Sequence, residues 1–471
     1  MRRALQSLLV GLSVIAFLSA GSRGQVPDAA ADSPTDATAA ADVIVPTASA
    51  RALEFHRSGN VLWLFARIWG LAVPAVILAT GLSSRLRAFA FRWSRARPLA
   101  ISLFGVLYLL LTFVIDLPIA FYAGFLRAHD YGLSNQSLIH WLANQLKSLG
   151  VSLGLVACLL WVPYAIMRRF PRAWWAITAA LNVPLVVSLV YLVPLYYDPL
   201  FNQFGPMRDK GLEGQILALA DRAGIAESRV FEVDKSRDTN TVNAYVTGLG
   251  GSSRIVLWDT LLEKLEVDEM LVVMGHEMGH FVLGHVLVSV VLSCALAAIG
   301  LFLIDRLGRI AIDRWGRRWG IQALDDVASL PLLFLLASVL SLAGSPLICA
   351  YSRHQELEAD RFAVELTRDN RAGAEGFVKL MDENLGVPWP SPLYAVFRAT
   401  HPSAGERIRF FNTYRPWATG APERYAHLFR KVEEGAESPS TPEPAPPNHA
   451  EVPLSPRDRV EGSEHAIVGV D

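Results

Sequence analysis

The chain has 471 residues, of which 52% are hydrophobic and only 18% charged, with a mean hydropathy of +0.32. Soluble domains average about 25% charged residues, so the composition leans toward a membrane protein. A net charge of −1 excludes a global basic field of the kind that binds nucleic acid. The three cysteines, Cys158, Cys294 and Cys349, lie in apolar runs without CxxC or Cys/His spacing. They support neither a disulfide framework nor a thiolate zinc site.

In chain order, Met1, Arg2 and Arg3 precede an apolar run over 8–20 that ends in small residues. Residues 1–24 therefore read as a signal peptide or as a first spanning anchor. The Ala, Asp, Pro and Thr-rich stretch that follows reads as a disordered linker over 25–58. Four long apolar segments, near 61–82, 99–126, 150–167 and 174–196, are each about long enough to cross a ~30 Å hydrocarbon core. They define an N-terminal transmembrane domain over 59–196. Residues 197–283 are mixed and charged and read as a soluble α+β insert. Two further apolar runs, near 286–304 and 328–350, return to the membrane, and 352–417 is soluble and helix-like. Together 197–417 form the second domain. The remainder, 418–471, reads as a disordered Pro/Glu-rich tail. The fold class is a mainly α-helical polytopic membrane protein with six or seven spans and a small α+β insert.

Charge gives an orientation. Arg85, Arg87, Arg92, Arg95 and Arg97 lie between the first two long segments. Arg168, Arg169 and Arg172 follow the third, and Arg306, Arg309, Arg314, Arg317 and Arg318 separate the last two. These connections share one side if every run spans once. The alternate loop 127–149 has only Arg127 and Lys147. The positive-inside rule places the arginine-rich side in the cytoplasm and the insert outside. The expected location is a bacterial inner membrane with the insert facing the periplasm, and the lipid bilayer is the first expected partner.

The chemistry lies in His276-Glu277-Met278-Gly279-His280, an HExxH motif. On a helix, residues four apart lie about 40° apart around the axis, so both imidazoles point the same way. Two neutral imidazoles suit Zn²⁺. Glu277 lies about 100° round from His276 and can take a proton from an activated water. A third ligand is needed. The extended metzincin pattern would require Gly at 283 and His at 286, where the chain has Leu283 and Val286. His285 is nine positions beyond His276, about 180° round a continuing helix, and is read as facing away. The stretch 352–360, SRHQELEAD, supplies Glu356 as third ligand, with Asp360 four residues on to accept the outer N–H of a ligating histidine. Glu358 is read as solvated. Spacing alone leaves this stretch equally readable as an ordinary acidic helix face.

HEMGH followed by SRHQELEAD resembles the paired motif of type I CAAX prenyl proteases and the related bacterial heat-shock membrane metalloproteases. The stretches 198–204 (DPLFNQF), 243–248 (NAYVTG), 254–262 (RIVLWDTLL), 382–386 (DENLG) and 401–408 (HPSAGERI) resemble the CAAX protease branch in the same order. The likeness runs from about 60 to 415. It implies a zinc metalloendopeptidase with one Zn²⁺ held by His276, His280 and Glu356, built as seven helices around an intramembrane chamber. It implies that Asn243 and Ala244 lie on an edge strand that pairs with substrate backbone. His401 would stabilise the oxyanion and Arg407 would help hold substrate. Expected substrates are peptides or membrane proteins, lipidated ones included, and no nucleic acid. Eukaryotic members face the cytosol with their catalytic side, whereas the arginines here point it outward. That contrast favours general envelope proteolysis over true prenyl-CAAX processing. A competing class is a non-enzymatic membrane chamber with a vestigial zinc site.

Overall fold

A computed structural model describes residues 42–225, 228–247 and 254–430. The apolar run of 8–20 and the chain from 431 onward lie outside the described residues. Among those described, six helices are long and apolar enough to cross a bilayer; a seventh counted from 8–20 falls outside them. The first span, α1, is Ala50–Ala79. A short helix, α2 (Leu82–Trp93), leads into α3 (Arg97–Asp130), α4 (Leu138–Arg169) and α5 (Trp174–Leu200). Their apolar windows are only 11–39% buried within the protein, so most of that surface is left uncovered by the rest of the described chain. Helices satisfy their own backbone groups, which is what hydrocarbon demands of a spanning segment.

The insert begins with β1 (Phe204–Pro206), α6 (Lys210–Arg222), β2 (Arg229–Val233), β3 (Ala244–Thr247) and β4 (Arg254–Trp258). The sheet order is β1-β2-β4-β3. Strands β2 and β4 are parallel, and β3 pairs antiparallel with β4, Ala244 opposite Leu257. Strand β3 is therefore an edge. After α7 (Asp259–Lys264) come α8 (Val267–Val282) and the last two spans, α9 (His285–Trp319) and α10 (Leu330–Thr367). Helices α11 (Asn370–Glu383), α12 (Pro392–Phe397), α13 (Ala404–Thr413) and α14 (Pro416–Thr419) complete the chain.

The three arginine-rich connections meet at one end of the bundle. Arg97 reaches Asp325 at 3.4 Å and Arg87 pairs with Asp326. The Ser83 hydroxyl donates to the Ala328 carbonyl at 2.7 Å. On α9, buried Asp305 accepts from Trp174 Nε1 at 2.5 Å and from Arg309, which also donates to the Pro171 carbonyl. At the opposite end, the α3–α4 loop is tied to the insert: Asn135 N–H donates to Asp238 O, and His140 Nε2 lies 2.9 Å from Asp238 Oδ1.

The sequence reading differs from the structure at both margins of the described chain. The linker expected over 25–58 is helical from Ala50, with Ser49 as its N-cap. Asn412 accepts from the Val43 N–H and donates to its carbonyl. The helical part, 50–58, has no long apolar run, but it is capped by the Ser49 hydroxyl, which accepts from the Ala52 N–H at 3.1 Å. Residues 418–430 of the expected tail pack on α10: the backbone N–H groups of Arg424 and Tyr425 donate to buried Glu365.

Helix α8 starts on a capping box, in which the Glu269 carboxylate accepts from the Glu266 N–H at 2.7 Å. It stops at Gly284, whose φ of +68° is left-handed. Its buried face lies along α10. A Cβ on Gly279 would stand 3.2 Å from the Ala359 Cα and 3.1 Å from the Phe362 Cβ, so the two backbones approach closely because the residue is glycine. Gly279→Val should destabilise the protein by about 1–3 kcal/mol through overpacking. The check is the thermal midpoint of the purified protein in detergent, with an unchanged midpoint counting against this contact.

Candidate metal centre

Two histidines from α8 and one carboxylate from α10 converge. His276 Nε2 and His280 Nε2 are 3.1 Å apart. Glu356 places Oε2 3.3 Å from His276 Nε2 and Oε1 3.4 Å from His280 Nε2. One nitrogen or oxygen from each of the three lies within 4.8 Å of the others. The spacing follows from helix geometry on one side, since His276 and His280 are one turn apart, and from the glycine-mediated contact with α10 on the other.

The donor set suits a divalent cation. His276 and Glu356 are each 6% exposed, and Glu356 Oε2 is buried without a hydrogen-bond partner. Its nearest donors stand off, His276 Nε2 at 3.3 Å and Arg407 Nη1 at 3.6 Å, and a buried carboxylate oxygen is costly unless something positive meets it. Burial and the nearby Arg407 push the His276 imidazole down. The carboxylates of Asp360, at Nδ1, and Glu356, at Nε2, outweigh them and carry its pKa up to about 9. Two imidazoles and one carboxylate make a set typical of catalytic zinc, with a coordination position left for water or substrate.

Behind the ligands lies a buried ion pair. Asp360 is fully buried, and its Oδ1 lies 2.8 Å from His276 Nδ1. Arg407 of α13 donates to Asp360 through Nε at 2.9 Å and Nη2 at 2.5 Å. Its guanidinium carbon also stacks 3.8 Å from the Phe377 ring centroid. Arg407 is 7% exposed; besides its two donors to Asp360, its Nη1 lies 3.6 Å from Glu356 Oε2, and it also lines the cleft in front of the ligands.

In front of the ligands lies a cleft of about 280 Å³, whose walls include Asn243, Ala244, His276, Glu277, Glu356 and His401. Glu277 is half-buried. Burial raises its carboxyl pKa, while the neighbouring imidazoles pull the other way. His401, just before α13, remains 60% exposed and holds Nε2 3.4 Å from Glu356 Oε1. Asn243 is exposed at the start of the edge strand, with its side-chain oxygen accepting from the Ala244 N–H at 2.9 Å. Thus every expected site residue reaches one region, with Asp360 beneath it and Arg407 reaching from Asp360 to the cleft wall.

Two expectations are corrected here. His285 does not face away: its Nδ1 lies 2.9 Å from His280 Nδ1. The 180° reading assumed one continuous helix, but Gly284 breaks it and folds residue 285 back. Glu358 is not solvated but 6% exposed. The Tyr425 hydroxyl donates to it, and Arg361 and Arg424 pair with it, because residues 420–430 cover that face of α10. The sequence reading also missed Asn384, the C-cap of α11. It accepts from the Val242 N–H at 3.3 Å and donates to the Val242 carbonyl at 3.4 Å. The signal was the 382–386 stretch, quoted without a role.

Comparison with known proteins agrees with this geometry. Residues 206–415 match peptidase family M48, and 31–203 match the CAAX prenyl protease N-terminal family, described as five membrane helices. A Bacillus subtilis (strain 168) chain named uncharacterized metalloprotease YhfN is 35% identical, over 83% of this chain and 91% of its own. CAAX prenyl protease 1 of Saccharomyces cerevisiae is 27% identical, over 73% of this chain and 77% of its own. The crystal structure of S. mikatae Ste24p superposes with a TM-score of 0.67 at 25% identity, covering 76% of this chain and 87% of that one. The helices therefore share that membrane-chamber fold. The chain belongs to peptidase family M48 and is a membrane metalloprotease.

Proposed function

We propose that this metalloprotease is a zinc endopeptidase in which His276, His280 and Glu356 hold one zinc ion and Glu277 is the proton-transferring carboxylate. The observation that carries the reading is the convergence of two imidazole Nε2 atoms, 3.1 Å apart, on the two oxygens of the buried Glu356 carboxylate at 3.3 and 3.4 Å. When bound, zinc supplies a Lewis acid that acidifies water and polarises a carbonyl. Glu277 takes the proton from the attacking water at its carboxylate. It then delivers that proton to the leaving amine, so water adds across the peptide C–N bond. His401 donates from Nε2–H to the oxygen on which negative charge develops. The backbone at Asn243 and Ala244 pairs with an extended substrate along the free edge of β3. Asp360, braced by Arg407, accepts the Nδ1 proton of His276 and so turns Nε2 toward the metal.

Glu277→Gln should retain one zinc per chain and lower kcat at least about 100-fold, in line with loss of a general base. Metal analysis beside a peptide-cleavage assay reads both quantities; hydrolysis at the parent rate would remove the role.

The catalytic end faces the periplasm of a bacterial inner membrane in this proposal. Support comes from the packing of the arginine-rich connections together at the end of the bundle away from the metal centre, combined with the positive-inside rule. In a variant lacking Cys158, Cys294 and Cys349, a cysteine at exposed Lys210 should react with a membrane-impermeant maleimide in intact cells. One placed at Arg95 should react only after lysis. The reverse pattern would put the site in the cytoplasm.

With that orientation the substrates are extended segments of membrane and envelope proteins, with no requirement for a lipid anchor. Relatives carry the name CAAX prenyl protease 1, which makes prenylated peptides the informative comparison. The expected result is kcat/KM for an unlipidated peptide within about tenfold of its farnesylated twin, a difference of about 1.4 kcal/mol. Cleavage confined to the farnesylated peptide would replace this substrate class with prenyl-CAAX processing.

A further inference from the structure

The two imidazoles of the metal centre are held from behind by unlike partners. Their Nε2 atoms face each other at 3.1 Å, so a cation between them requires a bare lone pair on each. An imidazole that is neutral and bare at Nε2 carries its proton on Nδ1. For His276 that proton goes to the carboxylate of Asp360, 2.8 Å away. For His280 the atom in place is Nδ1 of another imidazole, His285, 2.9 Å away, with ring centroids 5.0 Å apart and planes inclined by 70°. Two ring nitrogens share a hydrogen bond only if one carries the proton and the other does not.

We infer that His285 is a positioning residue for the metal, accepting the Nδ1 proton of His280 on its own bare Nδ1 and thereby fixing the tautomer and ring plane of that ligand. It stands to His280 as Asp360 stands to His276, but as a neutral acceptor. The contact exists because α8 ends and α9 begins across Gly284, in the left-handed region at φ +68°. On an uninterrupted helix the side chain at 285 would point away. The neutral acceptor also fits the charge already present. Asp360 is balanced by Arg407, and Glu356 and Glu277 already offer two negative charges to a divalent ion. A carboxylate at 285 would add a third.

This inference rests on the proposed ligand role of His280, and its test separates the two. Zinc affinity is measured by chelator competition on the full-length chain in detergent, for the parent, His285→Asn, His285→Phe and His285→Gln. The Asn amide oxygen reaches about where the imidazole Nδ1 lies, while the Gln amide lies one bond too far and Phe offers no acceptor. His285→Phe should bind zinc about 10- to 100-fold more weakly, the usual consequence of losing an outer hydrogen bond to a ligand. His285→Asn should recover most of that loss. The absorption bands of the cobalt(II)-substituted protein should shift in His285→Phe and return in His285→Asn. If the Phe variant does not fold, Asn against Gln carries the test, with Asn expected to bind about tenfold tighter. Parent-like affinity in His285→Phe, or equal affinity of the Asn and Gln variants, would overturn the role while leaving the metal centre standing. A parent chain that binds no zinc would instead overturn the centre itself.

Discussion

The structure turns on one helix–helix contact. Helix α8 presents His276, Glu277 and His280, α10 presents Glu356 and Asp360, and neither set can act without the other. The small residues between them, Gly275 and Gly279 against Ala359 and Ala363, set how near the backbones come. Burying that many charges is tolerable only because they balance. Asp360 and Arg407 cancel, and the imidazoles are neutral in their metal-binding form. Glu356 and Glu277 leave two negative charges facing a small gap, which matches one divalent cation.

Helix α10 carries this contact through the bilayer. At one end Ser83 donates to the Ala328 carbonyl just before it, and Tyr164 meets Ser329. Glu356 lies 26 residues beyond Leu330, its first residue. At 1.5 Å per residue that is roughly 39 Å, longer than the ~30 Å hydrocarbon core. The metal centre is therefore separated from the arginine-rich end by at least a bilayer's length of helix. Continuity of this one helix connects the arginine-rich end with the catalytic end.

How much of this was legible depended on whether the deciding interaction was local. The i, i+4 histidine pair and the long apolar runs are local patterns, and the structure places them in one helix and in spanning helices. The partner carboxylate, distant in sequence, was readable only through the resemblance of its flanking stretch. The misplaced residues are those decided by a turn or by tertiary cover. A single left-handed glycine reverses the direction of His285. The segment around Tyr425 buries Glu358, which periodicity alone left in solvent. Arg407 lies in the 401–408 stretch, but only packing shows that it pairs with Asp360. The start of α1 was missed because hydropathy sees apolar runs and not the Ser49 cap that starts a mixed polar and apolar turn.

The cleft itself is set by α11, which reaches both of its walls. Near the middle of that helix, Lys379 pairs with Glu269 of the α8 capping box at 2.7 Å, and a Cβ on Gly376 would rest 3.4 Å from the Glu269 side chain. At its end, Asn384 grips the backbone of Val242, two residues before the edge strand. The next residue, Leu385, has φ +51°, a left-handed conformation that costs a side-chain-bearing residue about 1–2 kcal/mol. Such strain persists where surrounding contacts over-determine the backbone. Here the Gly386 N–H donates to the Met381 carbonyl at 2.7 Å and closes the turn. The helix that carries the proposed metal ligands and the strand whose free edge faces the cleft are thus both referenced to one short element.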